Sequence, residues 1–123
     1  MAVYILVAII AYAIGSVNFS IIFSKKFAGF DVREKGSGNA GTTNMLRSVG
    51  KGLAALTLIC DILKGVVAVL VAFWIGKIAT NVKPEILVQL AGFFAVVGHT
   101  FPVYFGFKGG KGVATSLGIL LLI

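Results

Sequence analysis

Residues 2–23 read AVYILVAIIAYAIGSVNFSIIF and contain no charged side chain. An α-helix of this length is about 33 Å long at about 1.5 Å per residue, which is enough to cross a hydrocarbon core of about 30 Å. No basic residue precedes the stretch, and its basic flank, Lys25 and Lys26, follows it, which is not typical of a cleaved signal peptide. The stretch therefore predicts a membrane-spanning helix from Ala2 to Phe23.

The composition of the whole chain agrees with a membrane protein. Of its 123 residues, 59% are hydrophobic and 12% are charged, and the mean hydropathy is +1.04, whereas soluble domains carry about 25% charged residues. These values exclude an ordinary soluble globular protein. The net charge of +7 is therefore expected in loops rather than in a nucleic-acid patch. The single cysteine, Cys60, lies in an apolar run and is expected to pack as a small hydrophobic side chain.

Further apolar runs cover residues 53–75 and 86–105. Pro84, just ahead of the third run, is typical of the first turn of a helix. A fourth run begins at Val113, and the sequence stops within it. These runs predict an all-α, polytopic transmembrane helix bundle with four spans begun and the last one truncated. We expect residues 1–123 to be a single transmembrane domain that forms the N-terminal part of a larger membrane protein.

The lysine and arginine residues are distributed unevenly among the loops. The second loop holds only Lys77 and Lys83. The first and third loops hold a larger set, namely Lys25, Lys26, Arg33, Lys35, Arg47, Lys51, Lys108 and Lys111. Because basic residues concentrate in cytoplasmic loops, this distribution predicts that the N-terminus lies outside and that the first and third loops share the cytoplasmic face.

The first loop contains a glycine-rich polar stretch, residues 36–47, which read GSGNAGTTNMLR. Glycine tolerates positive φ and lets the backbone approach a ligand, and successive backbone N–H groups in such a turn favour an anion. The stretch lacks the Gly-Lys-Ser/Thr ending of a Walker A loop. The alternative is an ordinary polar turn between helices. The candidate phosphate-binding residues here are Gly36, Ser37, Gly38, Asn39, Gly41, Thr42, Thr43, Asn44 and Arg47.

The third loop offers a second candidate anion site, residues 107–112, which read FKGGKG. Lysine side chains supply positive charge, and the loop leads into the start of the fourth helix, whose amides favour an anion. The alternative is a pair of lysines that contact lipid phosphates. The interleaved glycines favour a bound phosphate instead, and the candidates are Lys108, Gly109, Gly110 and Lys111.

Three ionisable residues lie inside the predicted spans. Asp61 and Lys64 are three residues apart and so share one face of the second span. Charged groups at membrane depth usually face the protein interior or a wet cavity. The two residues therefore either form a structural ion pair, in which each neutralises the charge of the other, or take part directly in a site. A supporting role, in which the pair shapes a polar pocket from below, is compatible with both alternatives. His99, the only histidine, is either a hydrogen-bonded structural residue or a functional one, and Pro102 is expected to kink the helix beside it.

Residues 36–47, residues 61–65 (DILKG) and residues 97–115 (VGHTFPVYFGFKGGKGVAT) together resemble the bacterial membrane glycerol-3-phosphate acyltransferases that use acyl phosphate as donor, the PlsY family. The resemblance implies transfer of a fatty acyl group from acyl phosphate to the 1-hydroxyl of sn-glycerol 3-phosphate. The products would be lysophosphatidic acid and phosphate, at the first step of phospholipid synthesis. It also implies a seven-span enzyme in the bacterial cytoplasmic (inner) membrane that depends on a soluble enzyme for its acyl phosphate.

The residues suit this chemistry. Acyl phosphate is already activated, so the protein has to position two phosphate-bearing substrates and stabilise developing oxyanion charge. The sequence shows neither a Cys/His cluster nor an acidic cluster, so we predict no metal and no cofactor.

The general base is either His99 or a substrate phosphate. The alternative function is a small transporter or channel subunit for phosphorylated solutes. The predicted catalytic residues are Ser37, Arg47, His99 and Lys111, with Asp61 and Lys64 in support.

Overall fold

The computed structural model describes residues 1–122, which form helices and turns without a β-strand. Within that range, three segments are long and apolar enough to cross a membrane, namely Ala2–Ala28, Lys51–Ile78 and Pro84–Phe105. The prediction of an all-α, polytopic membrane protein is therefore confirmed. The helices are α1 (Ala2–Gly15), α2 (Phe19–Phe23), α3 (Thr42–Ser48), α4 (Lys51–Ile78), α5 (Pro84–Thr100) and α6 (Val113–Leu120).

The first span is not the single continuous helix that the sequence predicts. Helix α1 ends at Gly15, and α2 begins after Asn18, whose backbone is extended (φ −98°, ψ 106°). The Asn18 side chain accepts a hydrogen bond from the Ile21 amide at 3.1 Å and so caps α2. The break frees the backbone carbonyls of Gly15 and Val17, and both accept hydrogen bonds from a side chain on α4. The chain therefore interrupts the helix only where the freed carbonyls find partners.

The other two spans differ from the sequence prediction at their ends. The second, α4, is longer than residues 53–75. The third ends at Thr100, because Pro102 disfavours a helical conformation at Phe101 (φ −126°, ψ 66°). A short 3₁₀ turn, Val103–Phe105, follows, so the proline terminates α5 instead of kinking it. The predicted starts of α5 at Pro84 and of α6 at Val113 are confirmed. The last residue of the fourth run, Ile123, lies outside the described residues.

Small residues let the long helices approach one another closely. A Cβ atom on Gly15 would collide with the Ala95 backbone, and one on Gly98 would collide with the Tyr12 carbonyl. Between α4 and α6, a Cβ on Gly65 would come within 2.5 Å of the Thr115 carbonyl oxygen. Close approach of this kind is typical of helix packing in membranes. It brings α1 against α5 and α4 against α6, and α4 also packs on α1 and α5.

A second, smaller core lies under the first loop. It consists of buried apolar side chains from α2, the loop, α3 and the start of α4, namely Ile21, Val32, Ala40, Met45 and Ala54. Burial of these side chains anchors the glycine-rich stretch to the bundle. The second half of the glycine-rich stretch is helical, since residues from Thr42 onward form α3.

Candidate active site

A cavity of about 490 Å³ lies between the first loop, α4, α5 and the start of α6. It brings together residues from every motif singled out in the sequence. Its polar lining is Ser37, Asn39, Thr42, Thr43, Arg47, Asp61, His99 and Lys111, and the remaining lining residues are Gly41, Leu58, Gly112, Val113, Ala114 and Leu117.

Asn44 lies behind this lining and organises the first loop. Its side chain is fully buried, and the two protons of its Nδ2 are shared among three carbonyl oxygens, those of Val32 and Lys35, each at 2.9 Å, and that of Asn39 at 3.0 Å. Its Oδ1 accepts from the Ser37 amide at 3.2 Å and from the Ser48 hydroxyl at 3.1 Å. The amide is thus engaged on both sides by the protein itself. The structure places Asn44 as an internal support of the loop, whereas the sequence suggested a phosphate contact.

Two of the predicted phosphate-binding glycines shape the bend of the loop and lie outside the cavity lining. Gly36 and Gly38 have φ of +54° and +77°, which L side chains rarely adopt. A Cβ on Gly36 would also collide with the Asn44 side chain and come within 2.6 Å of the Ser48 hydroxyl. Their contribution is therefore to the path of the backbone.

Arg33, which the sequence indicated only as one of the basic loop residues, pairs with Asp31 and connects the first loop to the third. Arg33 donates to both carboxylate oxygens of Asp31, at 3.0 Å from Nε and 2.6 Å from Nη2. It also donates to the carbonyls of Phe105 and Lys108 in the third loop. Partial burial raises the pKa of Asp31, but the hydrogen bonds and charge of Arg33 outweigh it, so the net pKa lies below the usual value. The carboxylate therefore stays charged at neutral pH. The Asp-x-Arg spacing at a turn is the only sequence signal for this contact.

The third loop folds over His99. The amides of Gly109 and Gly110 donate to the carbonyls of Thr100 at 3.0 Å and His99 at 3.2 Å, and the Gly109 carbonyl accepts from the Ala40 amide at 3.4 Å. A Cβ on Gly109 would collide with the His99 carbonyl, and one on Gly110 would come within 2.5 Å of His99 Nε2. These two glycines and Lys108 lie outside the cavity lining, and Lys111 reaches it. The glycines are thus needed for close packing of the loop.

The three ionisable residues of the spans form one buried cluster beneath the cavity. Lys64 Nζ lies 2.7 Å from His99 Nδ1 and 3.4 Å from Asp61 Oδ1, with side-chain exposures of 3% for the lysine and 2% for the aspartate. Asp61 and His99 line the cavity, and Lys64 lies behind them. The sequence placed Asp61 and Lys64 on one helix face, but it did not indicate that His99 joins them.

The cavity has a polar side and an apolar side. Arg47 and Lys111 supply two exposed cations, and Leu58 and Leu117 supply apolar surface that is 39% and 47% exposed. Within residues 1–122, no group of His, Cys, Asp and Glu side chains is arranged to hold a metal ion. Fold and site together define a membrane-embedded protein whose cavity suits an anionic ligand that carries an apolar group.

The chain belongs to the glycerol-3-phosphate acyltransferase family, whose model matches residues 5–123. It is 46% identical to the glycerol-3-phosphate acyltransferase of Clostridioides difficile strain 630, over 98% of this chain and 58% of the relative. It is 52% identical to that of Pseudomonas aeruginosa PAO1, over 94% of this chain and 58% of the relative. The chain thus spans a little over half the length of these relatives.

Solved structures agree with this assignment. The crystal structure of PlsY (YgiH), an integral membrane glycerol 3-phosphate acyltransferase, in its glycerol 3-phosphate form matches with a TM-score of 0.81 and 40% identity, over 96% of this chain and 56% of that one. The lysophosphatidic acid form of the same protein matches with a TM-score of 0.78 and 39% identity, over 96% of this chain and 55% of that one. The resemblance noted from the sequence motifs is therefore confirmed at the level of family and fold.

Proposed function

We propose that this protein transfers a fatty acyl group from acyl phosphate to the 1-hydroxyl of sn-glycerol 3-phosphate. The observation that carries the proposal is the cavity, in which Ser37, Arg47, His99 and Lys111 meet beside an apolar wall. A phosphate-bearing acceptor and an acyl donor need a polar and an apolar surface within reach of each other. The relatives are named glycerol-3-phosphate acyltransferase, and the solved homologue is described in forms with glycerol 3-phosphate and lysophosphatidic acid, which supports the acceptor and the type of product.

The phosphate groups are bound by the polar side of the cavity. Arg47 is suited to one phosphate because a guanidinium can donate two parallel hydrogen bonds, and Lys111, in the third loop, acts as a point charge. Ser37 and Thr42 add hydroxyls. The Thr42 hydroxyl is buried without a protein partner, so it can donate a hydrogen bond to a phosphate oxygen. Lys108 is outside the lining and contributes charge to the loop surface.

The reaction proceeds by direct attack, without an enzyme nucleophile. A bond forms between the acceptor hydroxyl oxygen and the acyl carbonyl carbon, and the bond between that carbon and the phosphate oxygen breaks. The hydroxyl proton ends on the released phosphate. The chain's own residues hold the two substrates in line and donate hydrogen bonds to the carbonyl oxygen as it becomes negative. We assign these tasks to Lys111 and Ser37, because both line the cavity.

The proposed setting is the bacterial cytoplasmic membrane, with the N-terminus outside and the cavity open to the cytoplasm. The concentration of lysine and arginine in the first and third loops supports this orientation. Both substrates are made in the cytoplasm in this scheme, and a soluble acyl-phosphate-forming enzyme supplies the donor. We also propose that residues 1–123 act as one transmembrane domain, since α1, α4, α5 and α6 share a core.

The test is an assay of the detergent-purified protein with acyl phosphate and glycerol 3-phosphate. Phosphate release and lysophosphatidic acid, measured by mass spectrometry, should appear together and only when glycerol 3-phosphate is present. Glycerol in place of glycerol 3-phosphate and the Arg47→Ala variant are the controls. The competing transporter function predicts uptake of glycerol 3-phosphate into proteoliposomes without acyl transfer. Uptake of glycerol 3-phosphate without acyl transfer would refute the proposal, and so would phosphate release that does not depend on glycerol 3-phosphate. The relatives named above give the transporter no support.

A further inference from the structure

We infer that Lys64 fixes the tautomer of His99, so that the histidine presents an N–H donor to the cavity and not a basic nitrogen. The assignment of the tautomer stands on the geometry of the buried cluster. Its meaning for catalysis rests on the proposed acyltransfer. It goes further than the sequence analysis, which left His99 open as a general base.

The protons of the Lys64 ammonium can be counted against its neighbours. Nζ lies 2.9 Å from the carbonyl oxygens of Gly15 and of Val17 and 2.7 Å from His99 Nδ1. An ammonium has three protons and no acceptor. Carbonyl oxygens cannot donate, so two protons point to Gly15 and Val17, and the third points to Nδ1. Nδ1 must then carry a lone pair, and the proton of a neutral imidazole resides on Nε2.

The reverse arrangement, a neutral amine that accepts from Nδ1–H, conflicts with Asp61. The carboxylate lies 3.4 Å from Nζ and is 2% exposed, and its Oδ1 has no hydrogen-bond partner. The lysine charge is therefore its nearest compensation, and removing that charge would leave a buried, unpaired anion, which is strongly unfavourable. A doubly protonated His99 is excluded by the same contact, because two cationic donors would face each other across 2.7 Å.

The ring edge opposite Nδ1 carries Nε2 and Cδ2, and this edge faces the cavity side. A Cβ built on Gly112, a lining residue, would lie 3.8 Å from Cδ2. A Cβ on Gly110 would lie 2.5 Å from Nε2. Gly110 thus packs closely against the loop side of the ring, and Gly112, which has no Cβ, leaves the edge open to the cavity that His99 lines. His99 is in this way a hydrogen-bond donor to a phosphate or carbonyl oxygen, and Lys64 is the positioning residue that makes it one.

Nuclear magnetic resonance tests the tautomer without any reference to activity. The protein is labelled with ¹⁵N-histidine in detergent, and the His99 signals are assigned by their loss in His99→Gln. Long-range ¹H–¹⁵N correlations should show a protonated Nε2 and an unprotonated Nδ1 at neutral pH. Lys64→Met should allow both tautomers, whereas Lys77→Met, the same change at the end of α4, should leave the spectrum unchanged. An Nδ1–H signal in the wild type, or an unaltered tautomer in a folded Lys64→Met protein, overturns the inference. The wild-type spectrum decides the matter even if Lys64→Met does not fold.

Two variants then test the donor role. Glutamine places an N–H group near the position of Nε2, whereas the amide of asparagine reaches only as far as Nδ1. His99→Gln should therefore turn over roughly tenfold or more faster than His99→Asn, the size of one hydrogen bond to a charged oxygen. Equal turnover of the two would overturn the donor role. Absence of acceptor-dependent turnover in the wild type would refute the proposed function, while the tautomer measurement would stand.

Discussion

Replacement of Asn44 by alanine is expected to release the first loop while leaving the transmembrane bundle folded. The two Nδ2 protons are shared among three carbonyls, and Oδ1 accepts from one amide and one hydroxyl, so the side chain makes the equivalent of four hydrogen bonds. At about 0.5–1.5 kcal/mol each, their loss amounts to between roughly 2 and 6 kcal/mol. Water can reach parts of this loop, so the lower end of the range, about 3 kcal/mol, is the better expectation. Such a loss corresponds to a change of about a hundredfold in the opening equilibrium of the loop.

Hydrogen exchange measured by mass spectrometry checks this expectation in detergent. Peptides that cover the first loop should exchange about a hundredfold faster in Asn44→Ala, whereas peptides from α4 and α5 should be unchanged. The control is Asn81→Gly, which alters an asparagine with φ of +61° in the second loop. Turnover should fall at all substrate concentrations, because the cavity wall is lost. If Asn44→Ala raises only the KM for glycerol 3-phosphate and exchange in the loop stays at the wild-type rate, Asn44 is a ligand contact and the scaffold argument fails.

Three further outcomes are expected. Arg47→Ala should lower kcat/KM for glycerol 3-phosphate by roughly 10- to 100-fold, with partial recovery in Arg47→Lys, since a lysine lacks the bidentate fork; wild-type kinetics in Arg47→Ala would exclude the role. Gly38→Ala should reduce turnover because its φ of +77° is strained for alanine, and full turnover would show that the bend tolerates a side chain. Cysteines at Lys35 and Lys108, both exposed, should resist a membrane-impermeant thiol reagent in whole cells, whereas one at Lys83 should react; the opposite pattern would reverse the proposed orientation.

The membrane fold could be predicted because it depends on long apolar runs, which are local in the sequence. The positions at which the helices end were harder to predict from the sequence. The break after Gly15 lies in a run with no charge or proline, and its only sequence signal is Asn18, a polar residue near the end of a span. Asparagine there also fits helix contact or a polar cavity. What decides the matter is a donor on another helix, Lys64, and such a partner is not visible in a local pattern.

The candidate site shows the same limit. Residue type identified the loops that line the cavity, because glycines, hydroxyls and cations suit phosphate. It did not separate residues that face the cavity from those that support them. Asn44 and Ser37 look alike as polar loop residues, yet the first is buried behind the second. Only the direction of each side chain distinguishes them, and that direction follows from the packing of α3 on the smaller core.

The break in the first span and the charged cluster depend on each other. Burying Lys64 costs several kcal/mol of lost hydration, and leaving the carbonyls of Gly15 and Val17 unpaired at membrane depth would cost several kcal/mol as well. Each cost is offset by the other group, because the ammonium donates to both carbonyls. The remaining proton of Lys64 is directed to His99, and its charge is balanced by Asp61. A continuous first span would remove the two acceptors that, together with His99, orient the lysine. The irregular backbone of the first span and the orientation of His99 therefore both depend on one buried cation.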